Sequence, residues 1–121
     1  MAILSGLTIS GGGVTITDGG AVATSKKAIF GYGTANGTDM VSITNLVSNT
    51  GVVATDTAGV GTARANLAAA GYGIGTAIFG YGFTTVTVSM TNLVSNTGVV
   101  ATDTTGVGTD RQRLAAASYG S

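Results

Sequence analysis

The sequence predicts an all-β protein assembled from two copies of one small unit. The string TNLVSNTGVVATDT stands at residues 44–57 and returns letter for letter at 91–104. Shorter copies surround it in the same order: AIFGYG at 28–33 and 77–82, GVGT at 59–62 and 106–109, LAAA at 67–70 and 114–117. The period is 47 residues, or 49 for AIFGYG, because the first copy carries a connection two residues longer. Within the unit, Val86-Thr87-Val88-Ser89-Met90-Thr91 alternates apolar and polar, the period-two pattern of a strand with one buried face. Repeats of this length build blades or solenoids whose units bury their apolar face only against a neighbour. Two units are few for that, so the reading calls for further units from other chains.

Taken in order, residues 1–25 lie outside the repeat. Leu7-Thr8-Ile9-Ser10 and Val14-Thr15-Ile16-Thr17 flank three glycines, which predicts an N-terminal β arm or hairpin. Residues 26–121 hold the repeats, at about 28–73 and 77–120. AIFGYG predicts a strand with Phe and Tyr on one face and glycine on the other, where a second backbone can approach. Val41-Ser42-Ile43-Thr44 matches the alternating strand of the second copy. Ser48-Asn49-Thr50-Gly51 and Ser95-Asn96-Thr97-Gly98 suit hairpin connections, since Asn and Gly tolerate positive φ. Residues 52–56 and 99–103 are then the returning strands. The LAAA runs admit two readings. A capping Thr109, an early Asp110 and strong helix formers allow a short helix at 109–117, but small side chains and the following Tyr-Gly favour a strand.

Composition narrows the function. Only 8% of the 121 residues are charged and the net charge is zero, against roughly a quarter charged in ordinary domains. Lys26, Lys27, Arg64, Arg111 and Arg113 are scattered, so the chain carries no electrostatic footprint for nucleic acid. It has neither Cys nor His, which removes thiolate and imidazole ligands and every Ser-His-Asp or Cys-His catalytic set. Catalysis, a resident metal and a cofactor are not expected. Residues 65–102 are uncharged but broken by glycines and asparagines, so a membrane-spanning helix is not expected. The N-terminus lacks the basic region of a signal peptide.

The order of blocks is a strand ending in Tyr-Gly (LAAAGYG), a strand ending in glycines (AIFGYG), an alternating strand, the SNTG turn, another strand, then a Gly-rich loop with Arg64 or Arg111. This resembles the kelch repeat, a four-stranded propeller blade with an Arg before its first strand and a glycine pair after its second. It also resembles the kelch-like arrays carrying AIFGYG and TNLVSNTGVV in structural and tail-associated proteins of bacteriophages and in some bacterial proteins. Two features depart from kelch. The glycine pair is split as Gly31-Tyr32-Gly33 and Gly80-Tyr81-Gly82, and aliphatics near Val52 and Val99 stand in place of the blade's Trp. In kelch order the chain opens on the second strand of one blade, builds a full second blade, and ends on a lone first strand: Leu114, Ala115, Ala116, Ala117 and Tyr119.

The resemblance implies two blades per chain and a closing strand exchanged between subunits, giving a homo-oligomeric ring, with a trimer of six blades expected from the usual four to eight. It also implies a structural part of a virion, made in the host cytoplasm, as a tail, fibre or decoration protein that contacts other virion proteins through residues 1–25. The alternatives are a lectin-like propeller binding a host-surface glycan and a fibril-forming β-solenoid. Candidate site residues follow from the repeat. Asp56 with Asp103, and Arg64 with Arg111, hold equivalent positions, as a polar ring or as plain turn and ion-pair contacts. Tyr32, Tyr72, Tyr81 and Tyr119 either pack between blades or stack on sugars. Two Asp residues related by the repeat see similar surroundings and make poor glycosidase partners. The glycine stretches lack a phosphate-loop spacing, and Asp39 lacks fellow ligands for calcium.

Overall fold

The computed structural model describes residues 26–120, and every regular element in it is a β-strand. The expected arm at 1–25 lies outside the described residues. In the first unit β1 (Ala28–Gly31) pairs antiparallel with β4 (Thr44–Val47), setting Ala28 opposite Val47 and Gly31 opposite Thr44. Between them β2 (Thr34–Ala35) and β3 (Asp39–Met40) form a small hairpin. Its tip, Asn36-Gly37, holds φ of 54° and 77°, the paired left-handed turn that Asn-Gly favours. This hairpin accounts for the two extra residues of the first copy.

The second unit is a three-stranded antiparallel sheet in the order β5 (Ala68–Tyr72), β6 (Thr76–Phe83), β7 (Thr87–Val94). Its β6–β7 ladder copies β1–β4 residue for residue, with Ala77 opposite Val94 and Gly80 opposite Thr91. A tighter turn, in which Thr84 N–H donates to the Val86 carbonyl at 2.9 Å, lets both strands run on past the bulge. In the first unit the alternating run becomes regular strand only at Thr44; before it, Val41 N–H donates to the Gly33 carbonyl at 2.9 Å and the Ile43 carbonyl accepts from Tyr32 N–H at 3.0 Å.

The SNTG turns form as expected, by a different device. Gly51 and Gly98 take φ of 85° and 84°, whereas Asn49 and Asn96 do not enter the left-handed region. Ser48 Oγ accepts from the N–H groups of Thr50 (3.3 Å) and Val52 (3.1 Å), and Ser95 repeats this on Thr97 and Val99. The returning segments do not become continuous strands. Isolated bridges join Val47 to Val53 and Thr44 to Thr57, and likewise Val94 to Val100 and Thr91 to Thr104. Four residue steps on the returning side thus oppose three on the strand, a bulge. The Asn45 and Asn92 side chains fill it, each donating Nδ2–H to a carbonyl, Ala54 or Ala101, at 3.1 Å.

The two LAAA runs part company. Residues 68–70 belong to β5, held against β6, and residues 114–117 are neither strand nor helix. Arg113 at φ 57° breaks any right-handed helix through that segment. The apolar core sits between the units. Tyr32 from the first and Phe79, Val94 and Val100 from the second are buried together, with Ile29, Val60, Leu67 and Ala77 against them. The Phe79 ring meets Tyr32 edge-on at 5.1 Å between centroids and lies over Gly31, where a Cβ would stand 2.8 Å from Phe79 Cζ. Glycine at that position is what lets the two sheets approach.

Candidate functional site: the seam between repeats

Arg64 is fully buried, at 0% exposure. A buried guanidinium is tolerable only where it is well hydrogen-bonded, and the two units jointly supply three acceptors to it. Nε donates to the Tyr81 carbonyl at 2.8 Å, Nη1 to the Thr62 carbonyl at 3.2 Å, and Nη2 to Asn92 Oδ1 at 2.7 Å. The guanidinium carbon lies 4.7 Å from the centre of the Tyr32 ring, within reach of the attraction between a cation and an aromatic face. Asn92, also at 0% exposure, relays the contact by donating Nδ2–H to Asp103 Oδ1 at 2.8 Å. Asp103 in turn accepts from Thr62, from its N–H at 3.1 Å and its hydroxyl at 2.6 Å. The Arg64–Asn92–Asp103–Thr62 chain therefore leaves the first unit, crosses the second and returns.

Local backbone chemistry sets these groups in place. Tyr32 and Tyr81 occupy the left-handed region, φ 63° and 64°, between two glycines. That kink sends each hydroxyl to a loop carbonyl: Tyr32 to Val60 at 2.9 Å and Tyr81 to Val107 at 3.0 Å. Gly61, at φ 78°, has no Cβ to collide with Asp103 and Asn92. Burial raises the Tyr32 pKa, against the opposing effect of Arg64. For Asp103, desolvation works against ionisation, but the hydrogen bonds from Thr62 and Asn92 and the charge of Arg64 outweigh it and hold its pKa below the usual carboxylate value.

Half of this arrangement recurs at each outer face. On the first unit Asn45 Nδ2 donates to Asp56 Oδ1 at 2.8 Å, as Asn92 does to Asp103, but no Thr or Arg caps the pair among the described residues. On the second unit the exposed Arg111 lies 4.3 Å above the Tyr81 ring and donates to the Thr109 carbonyl at 3.3 Å, as Arg64 does with Tyr32 and Thr62. Thus Arg64 and Asp103 join one network, and Arg111 and Asp56 lie at opposite faces. Tyr32 and Tyr81 pack beneath arginines, whereas Tyr72 and Tyr119 are exposed and take no part. Of the expected closing strand, Leu114 is half-buried and Ala115, Ala116, Ala117 and Tyr119 are exposed.

Asn92, Thr62 and Phe79 were not singled out by sequence, although Asn in the middle of a TNLV strand is a signal, since strands disfavour it. Beside the seam opens an apolar cleft of about 190 Å³ lined by Thr44, Leu46, Thr57, Val60, Val99 and Val100. Among the described residues no three acidic groups gather where they could hold a metal, and no helix is long and apolar enough to cross a membrane. No family model, curated protein or solved structure matches the chain.

Proposed function

We propose that the chain is a non-enzymatic structural component of a bacteriophage virion, a tail, fibre or decoration part, whose two kelch-like blades close with those of other copies into a propeller ring. Three chains would give six blades. One observation carries the propeller reading: equivalent positions of successive repeats lie side by side. Arg113 N–H donates to the Asn66 carbonyl at 2.8 Å, and Asn66 Nδ2 to Gln112 Oε1 at 3.0 Å. The Ser118 hydroxyl donates to the Gly71 carbonyl, its counterpart one repeat earlier. Segments that face their own copies in this way are expected around a common axis. The polar residues that the repeat duplicates join unit to unit, which suits an assembling part. The virion assignment rests on the phage-type AIFGYG and TNLVSNTGVV strings and is a fold-level analogy, with residues 1–25 as the attachment to other virion proteins.

Peptide mass spectrometry of gradient-banded particles from a producing culture tests this. The chain should co-band with the virion in fixed ratio, and its absence from particles would refute the assignment. A lectin-like reading is favoured by one observation, that Tyr72 and Tyr119, equivalent in the repeat, both face solvent and can stack on sugar rings. Glycan-array binding lost on Tyr72→Ala and Tyr119→Ala would support it.

A further inference from the structure

The two outer faces of the chain are the two halves of its inner seam. On the inner seam Phe79 is buried to 4% exposure over Gly31, while on the outer face of the first unit Phe30, its counterpart, is 62% exposed. Gly80, the counterpart of Gly31, carries no ring against it: a Cβ there would meet only Thr91 Cγ2, at 3.2 Å. Val100 is 8% exposed in the seam and its counterpart Val53 is 52% exposed. The polar groups follow the same rule. Asn45 and Asp56 are set as Asn92 and Asp103 are, and Arg111 stacks on Tyr81 as Arg64 does on Tyr32. Phe79, Val100 and Arg64 of the seam therefore have exposed copies outside, its Tyr32, Asn92 and Val94 have half-buried ones in Tyr81, Asn45 and Val47, and the copies on one face are complementary to those on the other.

We infer that a second copy of this chain docks head to tail on these faces, with Arg111 of one copy entering between its own Tyr81 and the Asn45 Oδ1 and Tyr32 carbonyl of the next. Thr109 then caps Asp56 of that copy, and Phe30 of that copy covers Gly80. The same correspondence sets the strand register. As Ala68 opposes Gly80 and Ala70 opposes Ile78 within the chain, Ala115 opposes Gly31 and Ala117 opposes Ile29 of the next copy. The contact is heterologous, so it generates a ring if the rotation closes. This specifies the contacts of the proposed assembly and rests on it.

The chain has no cysteine, so a disulfide trap reads the contact cleanly. Asp56→Cys with Thr109→Cys, both at exposed positions, should give reducible covalent multimers on oxidation, with a closed ring as the largest species. Either single variant should stay uncrosslinked. As a control, Asp103→Cys with Thr62→Cys should crosslink within one chain. Native mass of the unoxidised double variant is measured alongside. An oligomer that fails to crosslink overturns this docking and leaves the proposed assembly standing. Covalent dimers from a single variant point to a symmetric contact and also overturn the docking. A monomer that does not crosslink overturns both, and leaves the outer faces to other segments such as residues 1–25.

Discussion

Arg64→Ala removes the group on which the seam converges. The guanidinium makes three hydrogen bonds, of 2.7, 2.8 and 3.2 Å, with no solvent exposure. Its loss leaves the Tyr81 carbonyl and Asn92 Oδ1 without their donor inside the seam. A hydrogen bond from a charged group contributes about 1.5–3 kcal/mol, and each buried acceptor left without its donor costs about 1–3 kcal/mol. Water entering the emptied space recovers part of the loss, so a destabilisation of about 4 kcal/mol is expected. With a urea dependence of roughly 1.5 kcal/mol per molar for a chain of this size, the unfolding midpoint should fall by between about 2 and 3 M. The comparison is made at one chain concentration, because assembly shifts apparent stability. A domain with a total stability of about 5–15 kcal/mol has little margin for such a loss, so Arg64→Lys is the milder companion. It keeps the charge but a single ammonium cannot serve three separated acceptors, and about 1–2 kcal/mol should be lost. An Arg64→Ala midpoint within about 0.5 M of the parent would show that Arg64 does not hold the seam together.

The two equivalent glycines should respond differently. Gly31→Ala brings a Cβ within 2.8 Å of Phe79 Cζ and 2.9 Å of Thr44 Cγ2 and should cost about 1–3 kcal/mol by overpacking, read from thermal unfolding. Gly80→Ala meets only Thr91 Cγ2 within the chain; its effect should appear as weaker self-association in sedimentation, with the fold retained. On the acid side, the depressed pKa of Asp103 stabilises the fold above the ordinary Asp value. That contribution is lost as pH falls through the lower folded value, so Asp103→Asn should flatten the stability profile below about pH 4. On the alkaline side, the raised pKa of Tyr32 gives a contribution present below the ordinary tyrosine value and lost as pH rises through the folded one, so Tyr32→Phe should flatten the profile above about pH 10. Finally, Arg113 holds φ 57° where its counterpart Asn66 holds 56°. Arg113→Asn should stabilise by about 0.5 kcal/mol, because Asn enters that region more readily, and a lower melting temperature would contradict this.

The repeat and the alternating runs made the paired strands legible, since period two with β-branched residues points to a half-buried strand wherever a partner edge exists. What the letters could not carry was environment. Residues 68–70 and 114–117 are both Ala-rich copies of one segment, yet only the first has β6 beside it and only the first is a strand. Phe30 and Phe79 sit in identical AIFGYG strings and differ from exposed to buried because only Phe79 has Gly31 of the other unit to cover. The expected returning strands failed for a local reason: Asn45 and Asn92 reach across and take carbonyls that a regular ladder would have paired backbone to backbone. Among the candidate residues, Arg64, Asp103, Tyr32 and Tyr81 were legible from their recurrence. Asn92 and Thr62 became visible only when the two units were brought together, 28 and 41 positions from the groups they serve.

Sedimentation velocity of the full chain across a hundredfold range of concentration tests whether copies close on one another through their outer faces. Outer faces that copy the inner seam should drive the chain into one closed species of fixed stoichiometry, a multiple of three, that does not grow with concentration. A monomer across the whole range would rule out closure through the outer faces.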